Sequence, residues 1–220
     1  MTGTRNLIRL MTWLSPTFPV GGFNYSHGLE QAVADGLVID AETLRDWTET
    51  LLSHGSAWND AVLLAESWRL AGEGADLTEI SELADAMAGS CERHLETMNQ
   101  GAAFLDATRA WPLSVHADLA RGAAWPVAVG AVAGASEMPL EPTIAAFLHA
   151  FVANQVQAAL RLMRLGQVAG VDVLASLEPA IGAVAARAAR SSLDDLGNAA
   201  LNAEVAAMRH ETLNSRIFRT

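Results

Sequence analysis

Cys91 and His94 are the one soft pair at helical spacing in this sequence, within Ser90-Cys91-Glu92-Arg93-His94. Neighbouring cations lower a thiol pKa, so such a pair could supply a nucleophile or a metal ligand. No third group joins it, and the pair reads as part of an ordinary helix with Cys91 buried. The remaining histidines, His27, His54, His116, His149 and His210, form no HxH, HxxxH or HExxH pattern. His210-Glu211 points its two side chains different ways on a helix, and His27 reads as a hydrogen-bonded surface or cap residue. There is no nucleophile elbow, P-loop or dinucleotide fingerprint. Gly166-Gln167-Val168-Ala169-Gly170 is too sparse to cradle a phosphate. The carboxylates Glu79, Glu82, Asp85, Asp194 and Asp195 sit at helix-surface spacing, as solvated faces and partners of helix N-termini. The residues therefore nominate no catalytic group and no metal site within one chain. A weak site, or one assembled across subunits, stays open.

Helices must position whatever the chain does. The 220 residues are 51% hydrophobic and 18% charged, a globular composition large enough for one substantial core. Strict alternation is nearly absent, and the periodicity favours helix throughout. The reading is all-α: a single compact domain over residues 1–220, of about ten short helices. An apolar segment runs from Leu7 to Leu14, and a helix begins near Tyr25 and stops at Asp35-Gly36. Asp40 and Ser56 cap the next two helices, the second stopping at Gly72. Asp76 and Glu79 have capping-box spacing for a helix running to Met87. Another helix runs from Cys91 to Trp111-Pro112, and prolines bound a small apolar helix between Trp125 and Met138. After Pro142 the apolar set Ile144, Phe147, Leu148, Phe151, Val152, Val156, Ala159, Leu160 and Met163 is wider than one stripe, which marks a central helix. Gly166, Gly170 and Gly182 punctuate the next stretch, and Pro179 starts an alanine-rich helix to Arg190. The last helix covers about 201–213.

The net charge of −11 leaves no electrostatic footprint for nucleic acid and repels anionic membranes. It suits a basic partner surface. A single cysteine excludes an intramolecular disulfide and fits a reducing cytoplasm, and the start of the chain lacks the pattern of a signal peptide. The uncharged run between Glu141 and Arg161 approaches the length of a membrane span, but His149, Asn154, Gln155 and Gln157 make it a buried helix of the protein.

Two segments stand out. In Ser15-Pro16-Thr17-Phe18-Pro19-Val20-Gly21-Gly22-Phe23-Asn24-Tyr25-Ser26-His27-Gly28-Leu29-Glu30, prolines fix φ and a glycine pair is free to take positive φ. Its Phe18, Phe23 and Tyr25 need a surface, either the protein's own core or a partner. The end of the chain clusters Arg209, Arg216 and Arg219 with Ile217 and Phe218, which suggests docking onto the body or onto another protein.

The first of these segments resembles the start of the urease accessory protein UreF family. Met208-Arg209-His210-Glu211-Thr212-Leu213-Asn214-Ser215-Arg216-Ile217-Phe218-Arg219-Thr220 is similar to that family's closing signature. Between them, Ala158 to Gln167 and Ser192-Leu193-Asp194-Asp195-Leu196 also fit. The resemblance implies a helical, non-enzymatic, cytoplasmic chaperone without a resident cofactor, through which nickel passes to the urease apoprotein. It implies a homodimer that bridges a UreD/UreH-type accessory protein and a UreG-type GTPase, with no nucleic acid or membrane partner. Alternatives within it are a regulator of that GTPase, with Arg209, Arg216 or Arg219 as an arginine finger, and a direct nickel carrier. Carried onto this chain, the partner-binding residues are Pro19, Gly21, Gly22, Phe23, Tyr25, Ser26 and Glu30 in the loop. In the last helix and the tail at 214–220 they are Arg209, His210, Glu211, Ser215, Arg216, Ile217 and Phe218. Arg216 is expected to hydrogen-bond close to Phe23 or Tyr25. Asn24, Arg164, Val171 and Asn214 depart from the family's pattern.

Overall fold

The computed structural model describes residues 2–220, without the side chain of Thr2. The described residues form α-helices and two 3₁₀ turns, with no strand. In chain order they are α1 (Thr2–Trp13), a 3₁₀ turn (Gly22–Asn24), α2 (Leu29–Ala34), α3 (Ala41–His54), α4 (Ser56–Glu73) and α5 (Thr78–Ala86). Then come α6 (Cys91–Thr108), α7 (Val115–Asp118), α8 (Trp125–Ala135), α9 (Leu140–Leu162), α10 (Gln167–Ala188), a second 3₁₀ turn (Leu193–Asp195) and α11 (Leu201–His210). The all-α reading holds.

Helix α8 is the hub. Every residue from Pro126 to Gly134 is buried, as a helix apolar on all sides requires. It packs chiefly on α4 and α6. Gly130 and Gly134 let its backbone rest on Leu64, Ser67 and Trp68 of α4, where any Cβ would clash. Around the hub, Trp13 stands edge-on to Phe104 and Trp111, and Phe104 to Trp125. Helix α9 lays Ile144, Phe147, Leu148, Val152 and Val156 into the same core, which makes it the central helix its pattern predicts. Both α9 and α10 have the length and apolar character of membrane-crossing helices; half of the apolar stretch of α9 is buried in the protein and a third of that of α10.

Several expectations needed correcting. Pro179 lies inside α10, and so do Gly170 and Gly182. Pro179 and Ala175, whose carbonyl loses its donor, are both exposed, so water can satisfy the freed group and the helix continues. Helix α2 starts at Leu29 because His27 and Gly28 before it adopt positive φ, 52° and 77°. Helix α4 has Gly55 as its N-cap and stops at Gly74, in the left-handed region, two residues beyond Gly72. Asp40 does cap α3, in a box with Thr43. Asp76 makes no box with Glu79: its carboxylate accepts from the amide and hydroxyl of Thr78, at 3.0 and 2.8 Å. Cys91 is exposed, because it opens α6 behind the cap Ser90 and faces away from the core.

Candidate partner-binding site

The aromatic loop is clamped by two helices. Gly21 takes φ 74° and turns the chain into the 3₁₀ turn at Gly22–Asn24. Gly28 is required twice over: its φ is positive, and a Cβ there would lie 2.9 Å from the amide nitrogen of Ala207 in α11. From α9, Asn154 Nδ2 donates to the Tyr25 carbonyl at 2.9 Å and Gln155 Nε2 to the Ser26 carbonyl at 3.1 Å. Arg161 donates to the Phe23 carbonyl at 2.9 Å. Tyr25 and Ser26 are buried, Phe18 packs on Phe104, and Phe23 is left 63% exposed. The loop thus serves the core and also presents an aromatic outward.

The tail lies along this loop. The Arg219 amide donates to Asn24 O at 2.8 Å and the Ser26 amide to Thr220 O at 2.9 Å. Ser26 Oγ also donates to Thr220 O. Phe218 is buried, with the Arg161 guanidinium 4.2 Å from its ring centroid. The carboxylate of Glu30 accepts from the amides of Ile217 and Phe218, at 2.7 and 2.9 Å. It also lies 3.1 Å from His210 Nε2, while His210 Nδ1 lies 2.7 Å from Glu92 Oε2. The imidazole of His210 is fully buried between two carboxylates, one facing each ring nitrogen. Arg216 pairs with the other oxygen of Glu92.

A second charged layer lies beneath. Glu96, fully buried, is 3.0 Å from His27 Nε2 and accepts from Gln100 at 2.9 Å and from the Thr220 hydroxyl at 3.2 Å. Arg93 lies 3.6 Å from Glu96 and donates to Asp60 at 2.5 Å. Burial pushes the Glu30 carboxyl up, but hydrogen bonds from His210 and from the amides of Ile217 and Phe218 outweigh it and hold its pKa below the usual glutamate value. Burial also pushes Glu96 up, and the charges of His27 and Arg93 with the hydrogen bonds it accepts again bring it below the ordinary value. For Asp60 burial prevails over Arg93, and its pKa is raised.

The structure brings Tyr25, Ser26, Glu30, His210, Arg216, Ile217 and Phe218 together. One expectation is overturned: Arg216 does not bond near Phe23 or Tyr25. With the Ile217 amide fixed on Glu30, the preceding side chain turns to Glu92, and Arg161 is the arginine that reaches Phe23. Arg209 pairs instead with Asp35, at 2.7 Å. Glu211 accepts from the Cys91 amide at 2.9 Å, on the N-terminus of α6. Gly22 lies beside Gln100. Pro19 and Ser215 are exposed and outside the network. Sequence reasoning missed Glu92, Glu96, Arg161, Asn154 and Gln155. The spacing of Glu92 and Glu96, which puts both on one face of α6, was the available signal. His27 is no surface residue: its side chain is 10% exposed and its ring stands edge-on to Phe151. Among the described residues, no group of three or more His, Cys, Asp or Glu side chains is arranged to hold a metal ion.

The chain matches the UreF family model over residues 38–178. It is 58% identical to Urease accessory protein UreF 1 of Brucella canis over 217 residues, covering 99% of this chain and 95% of that protein. It is 56% identical to Urease accessory protein UreF of Mesorhizobium japonicum over 214 residues, covering 97% and 96% of the two chains. The similarity extends past the 38–178 segment at both ends, which leaves little of the loop or the tail outside it. On a match over most of its length and identities above one half, the chain belongs to the UreF family of urease accessory proteins.

Proposed function

We propose that this chain is a non-enzymatic chaperone of urease maturation that bridges a UreD/UreH-type accessory protein and a UreG-type GTPase while nickel is inserted into the urease apoprotein. It acts in the cytoplasm as a homodimer, residues 1–220 forming one domain whose tail at 214–220 meets a partner. Nickel is cargo in this reading, and no residue of the chain is assigned as its resident ligand.

One observation carries it. The tail is fixed by its backbone and by Phe218, while Ile217 stays 57% exposed and Phe23 63% exposed on the loop it lies against. Two large apolar side chains held outward by an ordered, charge-locked support have the form of interface anchors. The residues proposed to face or shape that interface are Phe23, Tyr25, Ser26, Glu30, His210, Arg216, Ile217 and Phe218.

Light scattering after size-exclusion chromatography tests the reading, on the chain by itself and mixed with the UreD/UreH-type protein and the GTPase, with and without residues 214–220. The expected result is a dimer that forms a larger complex only when the tail is present. A chain that ignores both partners, or binds them equally well without its tail, overturns it.

A second reading, regulation of the GTPase within that complex, is favoured by Arg219. Of the three arginines nominated as fingers, Arg209 and Arg216 are paired with carboxylates, whereas Arg219 makes no ion pair among the described residues. Arg219→Ala is expected to slow GTP hydrolysis in the complex without weakening assembly. Unchanged hydrolysis removes this reading.

A further inference from the structure

The block Ser192-Leu193-Asp194-Asp195-Leu196 takes no part in the loop or tail. It is stitched to the corner between α3 and α4. The Trp58 indole donates to the Asp195 carbonyl at 2.8 Å, the Gly197 amide to Asn59 Oδ1 at 2.9 Å, and the Ala199 amide to the His54 carbonyl at 2.8 Å. The block and this corner, with the end of α10, border an open surface cavity of about 600 Å³.

Its walls carry His54, Arg187 and Arg190, in a protein whose net charge is −11. Arg187 is fixed in place: it donates to the Ser53 carbonyl at 2.8 Å, and its guanidinium carbon lies 3.6 Å from the Trp58 ring centroid. Neither Arg187 nor Arg190 has a carboxylate partner among the described residues. Asp195 is the one acid on the wall, and its carboxylate already accepts from the Ser192 amide at 2.8 Å. Cations also complement the negative ends of α3 and α10. That role is already filled, because Arg187 takes the Ser53 carbonyl and Arg69 donates to Ala189 O at 3.1 Å. The guanidinium of Arg190 is exposed and makes no ion pair among the described residues. A planar fork held by stacking and a second fork without a partner suit the bidentate recognition of oxyanions, and stacking removes part of the ordering cost.

We propose that this cavity binds a small oxyanion of phosphate type, gripped by Arg190 and the unengaged edge of Arg187, with His54 at the rim. The site is separate from the tail and does not depend on the bridging reading.

Calorimetric titration of the full chain with inorganic phosphate tests the proposal, with sodium chloride at matched ionic strength as the control. The expected result is saturable binding of one phosphate per chain. Arg190→Ala is expected to weaken it about tenfold or more, the size of one charge-assisted hydrogen bond, with the circular dichroism unchanged. Arg187→Gln is expected to weaken it similarly, since it removes the stacked fork. Heats indistinguishable from chloride overturn the proposal, as does undiminished binding by the Arg190 variant.

Discussion

Glu30 and Phe218 stand 188 residues apart in the chain and are joined by one hydrogen bond of 2.9 Å, from the Phe218 amide to the Glu30 carboxylate. The same carboxylate holds the Ile217 amide and His210, so a single buried side chain fixes both the tail and the helix before it. Glu30→Ala therefore leaves two amides and an imidazole without their acceptor. The expected cost is about 3 kcal/mol of stability, as for a buried charged network losing one partner. Urea unfolding measures it, and trypsin should then cut faster at Arg216 and Arg219 than in the parent protein.

Acid should undo the same network. Glu30 and Glu96 have pKa values lowered by folding, so their contribution is complete above the ordinary glutamate value of 4.5 and is lost as pH falls through the lower folded values. Asp60 has the opposite sign. Its raised value makes the ionised form unfavourable in the fold, and lowering the pH below that value relieves the cost. The net expectation is a urea midpoint that falls below pH 4.5, with a shallower fall in Glu30→Gln and Glu96→Gln. A midpoint independent of pH between 3 and 5 in the parent protein, as in about the range where such carboxylates titrate, contradicts the assignment.

Arg161 clasps the tail from outside, through the Phe23 carbonyl and the Phe218 ring. Since it is exposed, Arg161→Ala should cost only about 1 kcal/mol and leave the helical content unchanged. Its effect should appear in the tail: faster tryptic release and weaker capture of the UreD/UreH-type protein. Normal capture combined with a loosened tail would separate tail order from partner binding.

Ile217 offers the converse test. Its side chain is exposed while its amide is bound, so Ile217→Asp should change stability by no more than about 0.5 kcal/mol. Partner capture should fall at least tenfold, about 1.4 kcal/mol, if Ile217 is an anchor. Capture equal to that of the parent protein removes Ile217 from the interface.

Local rules made much of this legible. Helical spacing exposed α9 as a central helix, Asp40 announced its cap, and the aromatic loop and arginine-rich end were visible as segments needing a surface. What stayed hidden was pairing across the chain. No local pattern says that Arg216 belongs to Glu92, 124 residues away, or that Arg161 belongs to the Phe23 carbonyl, 138 away. Those choices depend on how α2, α6, α9 and α11 converge. Pro179 and Cys91 misled for a related reason. A residue's meaning in a helix depends on which side meets solvent, and that is decided by neighbours far off in sequence.

Phe218 is the single large apolar side chain of residues 214–220 that is buried; the other fastenings there are hydrogen bonds and ion pairs. The body is held by a continuous apolar core, to which Phe218 alone of these tail residues belongs. The molecule is thus joined by two different materials, with different solvents for each. Rising ionic strength screens the half-exposed Arg216–Glu92 pair and barely affects the core, while cooling weakens apolar packing first. Amide exchange at Ile217, Phe218 and Arg219 can then quicken with salt while that of α8 stays still. The end of the chain would open and close on its own clock, at a fraction of the energy needed to unfold the rest.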